Sequence, residues 1–296
     1  MSAIEIKNLN FIYSKKTPSE KHALRGINLT VEEGTFLGLV GATGSGKSTL
    51  IQHLNGLLKV QDKKNSSVVV NGMSATDKKT LKRLRFEVGM VFQYPEYQLF
   101  AETVKEDVAF GYKNFAPQKP TDEEIKSAVR AALEVVGLNY DEIQDKSPFD
   151  LSGGQKRRVA IAGVIVSRPE VLVLDEPAAG LDPAGKQEIM ELLHKLHREW
   201  CRTVVVVSHD MDEIAENCNR VAVFSEGEVK YVLPPKELFE KSEELTSLGL
   251  DVPLTAKLTF ALRRRGVNVK NDFTVEGLIQ SVLDYAKGAP QEGESE

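Results

Sequence analysis

The stretch GATGSGKS, residues 41–48, constrains the fold of this 296-residue chain more than any other. It fits G-x-x-x-x-G-K-S/T and lies between a short apolar run at 35–40 and a helix-forming run at 47–58, so it demands strand, glycine-rich turn and helix in that order. Gly41, Gly44 and Gly46 let the backbone curl until successive N–H groups converge on phosphate oxygens. The helix that follows turns its positive end on the same point. Lys47 supplies a cation for the β and γ phosphates, and Ser48 offers a hydroxyl to Mg²⁺. Ala42, Thr43, Ser45 and Thr49 add backbone or local contacts. The loop names a nucleoside triphosphate as ligand but not the work it drives.

The rest of the chain supplies a scaffold of the same kind. Ile4 and Ile6, Phe11 and Tyr13, and Ile27, Leu29 and Val31 alternate as in strands, which predicts a β layer at the N-terminus. Short apolar runs at 68–70, 88–91, 171–174, 203–207, 220–224 and 228–233 predict further strands. Helices are expected between 103 and 137, at 153–167 and from Pro183 onward. Thr121 and an acidic first turn mark one helix start, and Gly137 its stop. Ile189, Leu193, Leu196 and Trp200 form a core stripe on the helix from Pro183. Short apolar strands alternating with helices indicate a mostly parallel sheet covered on both faces. After Pro234 and Pro235 the pattern changes to a few helices over 236–287. The tail from Gly288, acidic and containing Gly and Pro, is expected to be disordered.

Bulk properties exclude several functions. A net charge of −5 provides no basic field for a nucleic-acid backbone, so no nucleic-acid partner is expected. Cys201 and Cys218 are expected as reduced, semi-buried thiols, with no disulfide framework or zinc site. No apolar run reaches membrane-spanning length, and MSAIEIKNLN lacks the features of a signal peptide. A cytoplasmic chain that docks on a membrane protein remains compatible with this pattern. Arg263, Arg264 and Arg265 are read as a solvated helix end near Gly266.

Two further elements carry chemistry. In VLVLDE, 171–176, an apolar strand delivers Asp175 to its C-terminal end, where it can hold Mg²⁺ through water. Glu176, one residue on, could polarise an attacking water as general base, a role worth roughly 10² to 10⁴ in rate. An acidic pair after a strand also serves as a helix cap; the glycine-rich loop upstream weakens that alternative. In LSGGQKRR, 151–158, Ser152, Gly153, Gly154 and Gln155 open a helix, so backbone amides and a hydroxyl again face outward as an anion site. One ATP does not need two such helix starts from one chain. The economical arrangement is a head-to-tail dimer in which each ATP is gripped by 41–48 of one subunit and 152–155 of another.

With these motifs in this order, residues 3–233 resemble the ATP-binding subunits of ABC transporters. The resemblance implies an α/β fold: a P-loop NTPase of the ABC-ATPase type, with a mostly parallel sheet core, an N-terminal antiparallel β layer and a helical subdomain at about 94–168. It also implies roles for single residues. Tyr13 resembles the aromatic that stacks on adenine, although a strand aromatic in the core is equally open. Gln93 resembles the glutamine that links Mg²⁺-ATP to the transmembrane partner. Asp182, in AGLD, resembles the residue of the loop that crosses the dimer interface. His209 resembles the switch histidine that contacts the γ-phosphate. QHLNGLL, FQYPEYQLF, TVKEDVAFG, LSGGQKRRVAIAG and DEPAAGLDP narrow the resemblance to the ATPases of energy-coupling factor transporters, and to the second of their two paralogous ATPases. That implies a heterodimer with the other ATPase, a transmembrane scaffold, a membrane-embedded substrate-binding subunit and a place on the cytoplasmic face of a prokaryotic membrane. It also implies an ATPase domain over 1–235 and a small C-terminal helical domain over 236–287 that helps hold the dimer. Asn65, Ser66 and Ser67 stand where a Pro or Gly turn is common, and Ala178 where Thr is frequent; neither departure touches phosphate chemistry.

VFQYPEYQLF, 91–100, packs four aromatics around a proline that ends any strand begun at Val88. Phe92 is assigned to the core. Pro95, Glu96, Tyr97, Leu99 and Phe100 are assigned to a surface patch for a membrane partner's helix, with Glu96 as charged anchor. Competing functions fit less well. A cobalt/nickel-type or other ABC importer is the nearest alternative. A soluble ABC ATPase acting on DNA or ribosomes would need two cassettes or long coiled coils, and LSGGQ has no purpose in a P-loop metabolic kinase.

Overall fold

The alternation at the N-terminus builds a long hairpin, β1 (Ser2–Tyr13) against β2 (Lys21–Glu32), antiparallel and with Ile4, Ile6, Leu29 and Val31 turned inward. The structure is a computed structural model and describes residues 1–270 and 273–288. β3 (Phe36–Gly41) is buried along its whole length and feeds the glycine-rich loop, from which α1 (Lys47–Leu54) departs. The helix stops short of the expected residue 58, because Gly56 adopts φ 69° just beyond Asn55 and ends the turn. β4 (Ser67–Val70) and β5 (Met73–Ser74) return to the hairpin, completing an antiparallel layer in the order β2-β1-β4-β5.

α2 (Leu81–Glu87) leads into β6 (Val88–Val91), followed by α3 (Val104–Phe115), α4 (Asp122–Val135), the short α5 (Tyr140–Ile143) and α6 (Gly153–Ile165). Thr121 starts α4 as expected: Glu124 N–H donates to Thr121 Oγ1, and Thr121 N–H donates back to the Glu124 carboxylate at 2.7 Å. β7 (Val171–Asp175), α7 (Pro183–Glu199), β8 (Thr203–Val207), α8 (Met211–Asn217), β9 (Arg220–Ser225) and β10 (Glu228–Leu233) complete the sheet region. The second sheet runs β10-β9-β3-β8-β7-β6 and is parallel except at β10. Alternate residues of each strand face opposite ways. Val204, Val206, Leu172 and Leu174 join a core with the helices, while Val205, Val207, Val171 and Val173 join the core under the antiparallel layer.

On α7, Ile189, Leu193 and Leu196 are buried, and Trp200 caps the helix half-buried under the Arg168 guanidinium. Both cysteines are free and buried, and burial pushes the Cys201 thiol up to about 12, so neither is a thiolate at neutral pH. α9 (Pro235–Phe239), α10 (Ser242–Ser247), α11 (Leu254–Arg264) and α12 (Val275–Gly288) follow. Their Leu238, Phe239, Leu245, Ala256 and Phe273 belong to the same buried cluster as the helix-facing side of the sheet. Arg263 is less solvated than its sequence suggested: it donates to the Val269 carbonyl and pairs with Glu240 at 3.2 Å. Gly288, expected to open a disordered tail, instead closes α12, and the rest of that tail, from 289 on, lies outside the described residues.

Candidate nucleotide and catalytic site

The C-terminal ends of β3, β6, β7 and β8 lie side by side, the edge where parallel α/β sheets place their ligands. The loop leaving β3 requires glycine at both ends. A Cβ on Gly41, at φ 154°, would stand 2.4 Å from the Phe224 carbonyl, and one on Gly46, at φ 110°, 2.7 Å from the Ala23 carbonyl. The Ser45 hydroxyl is buried in the same loop without a partner, a polar atom that suits a ligand oxygen. Lys47 is buried, and its ammonium donates to the carbonyls of Gly41 at 2.6 Å and Ala42 at 3.2 Å. Burial lowers its pKa, opposed by the nearby carboxylates of Glu176 and Asp175. Gly44, Thr43 and Ala42 form the outer curve of the loop. Thr49, one turn into α1, meets the Tyr13 hydroxyl at 3.2 Å. Tyr13 is 37% exposed, so its ring is not fully committed to the core.

At the end of β7, Asp175 accepts a hydrogen bond from the Ser48 hydroxyl. Burial raises its pKa, with the Ser48 bond opposing. Glu176 follows at φ 50°, a left-handed conformation that costs a non-glycine residue of order 1–3 kcal/mol. Its carboxylate is held from two sides: the Gln93 amide donates to Oε2 at 2.8 Å, and His209 Nε2 lies 2.6 Å from Oε1. Gln93 comes from the end of β6 and His209 from the end of β8. The structure therefore gathers Lys47, Ser48, Asp175, Glu176, Gln93 and His209 at one sheet edge.

The donor set also bears on Mg²⁺. Among the described residues no group of three or more His, Cys, Asp or Glu could hold a metal by itself. Ser48, Asp175 and Gln93 offer hard oxygens but too few for a protein-only cage, which fits an ion completed by phosphate oxygens and water.

Ser152 caps α6 through a reciprocal bond with Gln155, accepting from the Gln155 N–H at 3.3 Å. Its hydroxyl proton is left to donate outward, and a Cβ on Gly153 or Gly154 would meet nothing within 4 Å. Asp182 likewise caps α7, accepting from Gly185 N–H at 2.8 Å.

The aromatic segment needs correction. Tyr97 is 84% and Phe100 59% exposed, as expected of a contact surface, but Leu99 is 7% exposed and packs in the core, and Pro95 is buried. Leu99 turns inward because residues 95–98 form one turn of 3-10 helix, whose three-residue period sets Tyr97 and Phe100 on one side and Glu96 and Leu99 on another. Glu96 is not an anchor for an outside partner. The Arg157 guanidinium, 5% exposed, grips its carboxylate at 3.1 Å and also donates to the Ala179 carbonyl at 3.0 Å. Phe92, assigned to the core, is half-buried against it. Removing one partner of such an enclosed pair leaves the other uncompensated, so Arg157→Ala is expected to lower unfolding stability by about 3 kcal/mol or more in chemical denaturation. A loss below about 1 kcal/mol would show the pair to be dispensable.

Sequence patterns missed the support around His209. The Ser208 hydroxyl accepts from Asp210 N–H and donates to Glu213, whose pKa burial raises. Lys186 of α7 pairs with Asp210 at 3.0 Å. The spacing of Asp210 and Glu213 at a helix start was the available signal.

Comparison with known proteins agrees with this geometry. Residues 24–179 match the family model described as ABC transporter. The energy-coupling factor transporter ATP-binding protein EcfA2 of Caldanaerobacter subterraneus subsp. tengcongensis is 47% identical over 96% of this chain and 98% of its own length. That of Clostridium perfringens is also 47% identical, over 96% and 99%. Among solved structures, cbiO1 of Clostridium perfringens, described as part of the ABC transporter complex cbiONQ, superposes with a TM-score of 0.70 at 38% identity, covering 88% of this chain and 99% of that one. The ATP-binding cassette MJ0796, in a dimeric post-hydrolysis state bound to ADP and Pi, gives 0.68 at 30%, covering 78% and 98%.

Proposed function

Because the chain belongs to the ABC transporter family and, within it, to the energy-coupling factor transporter ATP-binding proteins, we propose that it works as one half of an ATPase heterodimer on the cytoplasmic face of a prokaryotic membrane. It is an ATP-hydrolysing transporter subunit; the pairing, the membrane partners and the residue roles are our reading. The observation that carries it is Glu176, held at the sheet edge between Gln93 and His209 beside Lys47, Ser48 and Asp175.

In this reading Lys47 and the amides of 41–48 hold the β and γ phosphates, and the Tyr13 ring supports the adenine. Ser48, Asp175 and Gln93 hold Mg²⁺, which when bound offsets charge on the phosphates. Glu176 takes a proton from the attacking water. His209 fixes that carboxylate and contacts the γ-phosphate, while Gln93 links the same carboxylate to the exposed segment that follows it. The outward helix start at 152–155 serves the nucleotide of the paired ATPase, and Asp182 faces that partner. Dimeric cassettes among the structural relatives support the pairing.

The second ATPase is a paralogue, and both act on a transmembrane scaffold with a membrane-embedded substrate-binding subunit for vitamins or other micronutrients. No helix among the described residues is long and apolar enough to cross a membrane. An ABC ATPase domain over 1–235, with a helical subdomain at about 94–168, is joined by a C-terminal helical domain at 236–287. The apolar side chains Ile279 and Leu283, exposed on α12, support a role for that domain in dimer contact. The likeness to cbiO1 favours a second reading, the ATPase of a cbiONQ-like complex, but at lower identity. Affinity purification of the chain from its native membrane tests the proposal. Recovery with a second ATPase and integral membrane proteins supports it, and recovery as a single species overturns it.

Tyr97 and Phe100, with Tyr94 tilted beside the first and Phe110 edge-on to the second, form the aromatic surface offered to the scaffold. Joint replacement of Tyr97 and Phe100 by Ala is expected to weaken assembly by roughly 2 kcal/mol or more. Uptake falls accordingly, while ATP hydrolysis by the detergent-free ATPase pair is spared. Uptake at the wild-type rate in vesicles would remove this surface from consideration.

A further inference from the structure

We propose that Lys21 is a second cationic contact for the nucleotide, reaching the α and β phosphates from outside the glycine-rich loop. The proposal rests on the reading of residues 41–48 as the phosphate site, and adds a residue that the loop motif does not contain.

Lys21 opens β2 and lies directly opposite Tyr13 in the register of the hairpin. Residues opposite one another in an antiparallel pair project from the same face. That face rests on the phosphate loop and its helix. The Tyr13 hydroxyl touches Thr49 of α1, and the Lys21 ammonium lies 3.6 Å from the point where a Cβ on Gly44 would stand. The hairpin thus brackets the loop, with an aromatic ring on one arm and a cation on the other. The Lys21 side chain is exposed, and among the described residues its ammonium makes no ion pair or hydrogen bond.

A nucleotide with its base against Tyr13 and its terminal phosphates inside 41–48 spans the interval between them, and Lys21 stands beside both Tyr13 and Gly44. A compact ammonium on a flexible stem, with three donors and no competing acceptor, suits oxygens at that place. Lys47 is enclosed within the loop and directed at its carbonyls, so the two lysines approach the polyphosphate from different sides. The α and β phosphates are common to ATP and ADP. Lys21 therefore contributes binding without discriminating ground state from transition state, and its loss appears in affinity rather than in the rate of the chemical step.

The test is calorimetric titration of the full-length chain with ATP, ADP and adenosine. Lys21→Ala is expected to weaken ATP and ADP alike, roughly three- to ten-fold, and to leave adenosine unchanged. Lys21→Arg restores the affinity, and the deficit shrinks as salt is raised. Lys16→Ala, on the same hairpin, is expected to bind as wild type. The proposal is overturned if Lys21→Ala binds ATP normally while Lys47→Met does not, or if Lys16→Ala loses as much as Lys21→Ala, which would indicate a diffuse field. If neither Lys21→Ala nor Lys47→Met changes affinity, the reading of 41–48 itself fails.

Discussion

Glu176→Gln is expected to bind ATP normally and to lose turnover by roughly 10² to 10⁴, the range associated with a positioned general base. The substitution keeps the shape of the side chain. An amide oxygen still accepts from Gln93, and the imidazole of His209 can accept from the new NH₂ in its other tautomer. What disappears is the negative charge that, in the proposed role, takes the proton of the attacking water. The distinctive result is therefore a split: nucleotide retained on a filter, and no phosphate released in a single turnover. The measurement belongs in an assembled pair whose other site has been disabled, since a second active site would mask the loss. Phosphate release at the wild-type rate would remove Glu176 from the reaction.

Lys47→Met acts one step earlier, on binding. The ammonium is buried against the loop it serves, and desolvation already lowers its pKa. Hydrogen bonds to charged groups contribute about 1.5–3 kcal/mol, so losing this one corresponds to roughly ten- to hundred-fold weaker ATP affinity. Methionine preserves the packing of the stem, which keeps the fold out of the comparison. Equal Kd values for wild type and variant would contradict the placement of the β and γ phosphates at 41–48.

Much of this site was legible because its demands are local. A loop in which any Cβ at Gly46 or Gly41 would stand within 3 Å of the Ala23 or Phe224 carbonyl admits only glycine at those two positions, so the sequence shows the need directly. The strands are short, apolar and regularly interrupted, and their sheet follows. The convergence of Gln93, Glu176 and His209 came from resemblance, since no periodic pattern connects residues so far apart. The misplacement of Leu99 and Glu96 has the same origin. Pro95 correctly signalled the end of a strand, but one turn of 3-10 helix decides which side each following residue faces. The partner of Glu96 lies sixty-one positions away, on another helix. The expected extension of α1 to 58 failed for a local reason, the helix stop at Asn55 and Gly56.

Arg157 has a mechanical consequence. One guanidinium fastens the turn at 95–98, the helix that begins at Gly153 and the backbone of Ala179, which enters the loop leading to Asp182. Those segments cannot shift independently without exposing a charge that is almost wholly enclosed. In the proposed coupling role, a push on Tyr97 would be transmitted as the tilt of one block, carrying Ser152 and the approach to Asp182 with it. The stroke of such a machine would then be set by how far the block swings, with one enclosed guanidinium tying its three segments together.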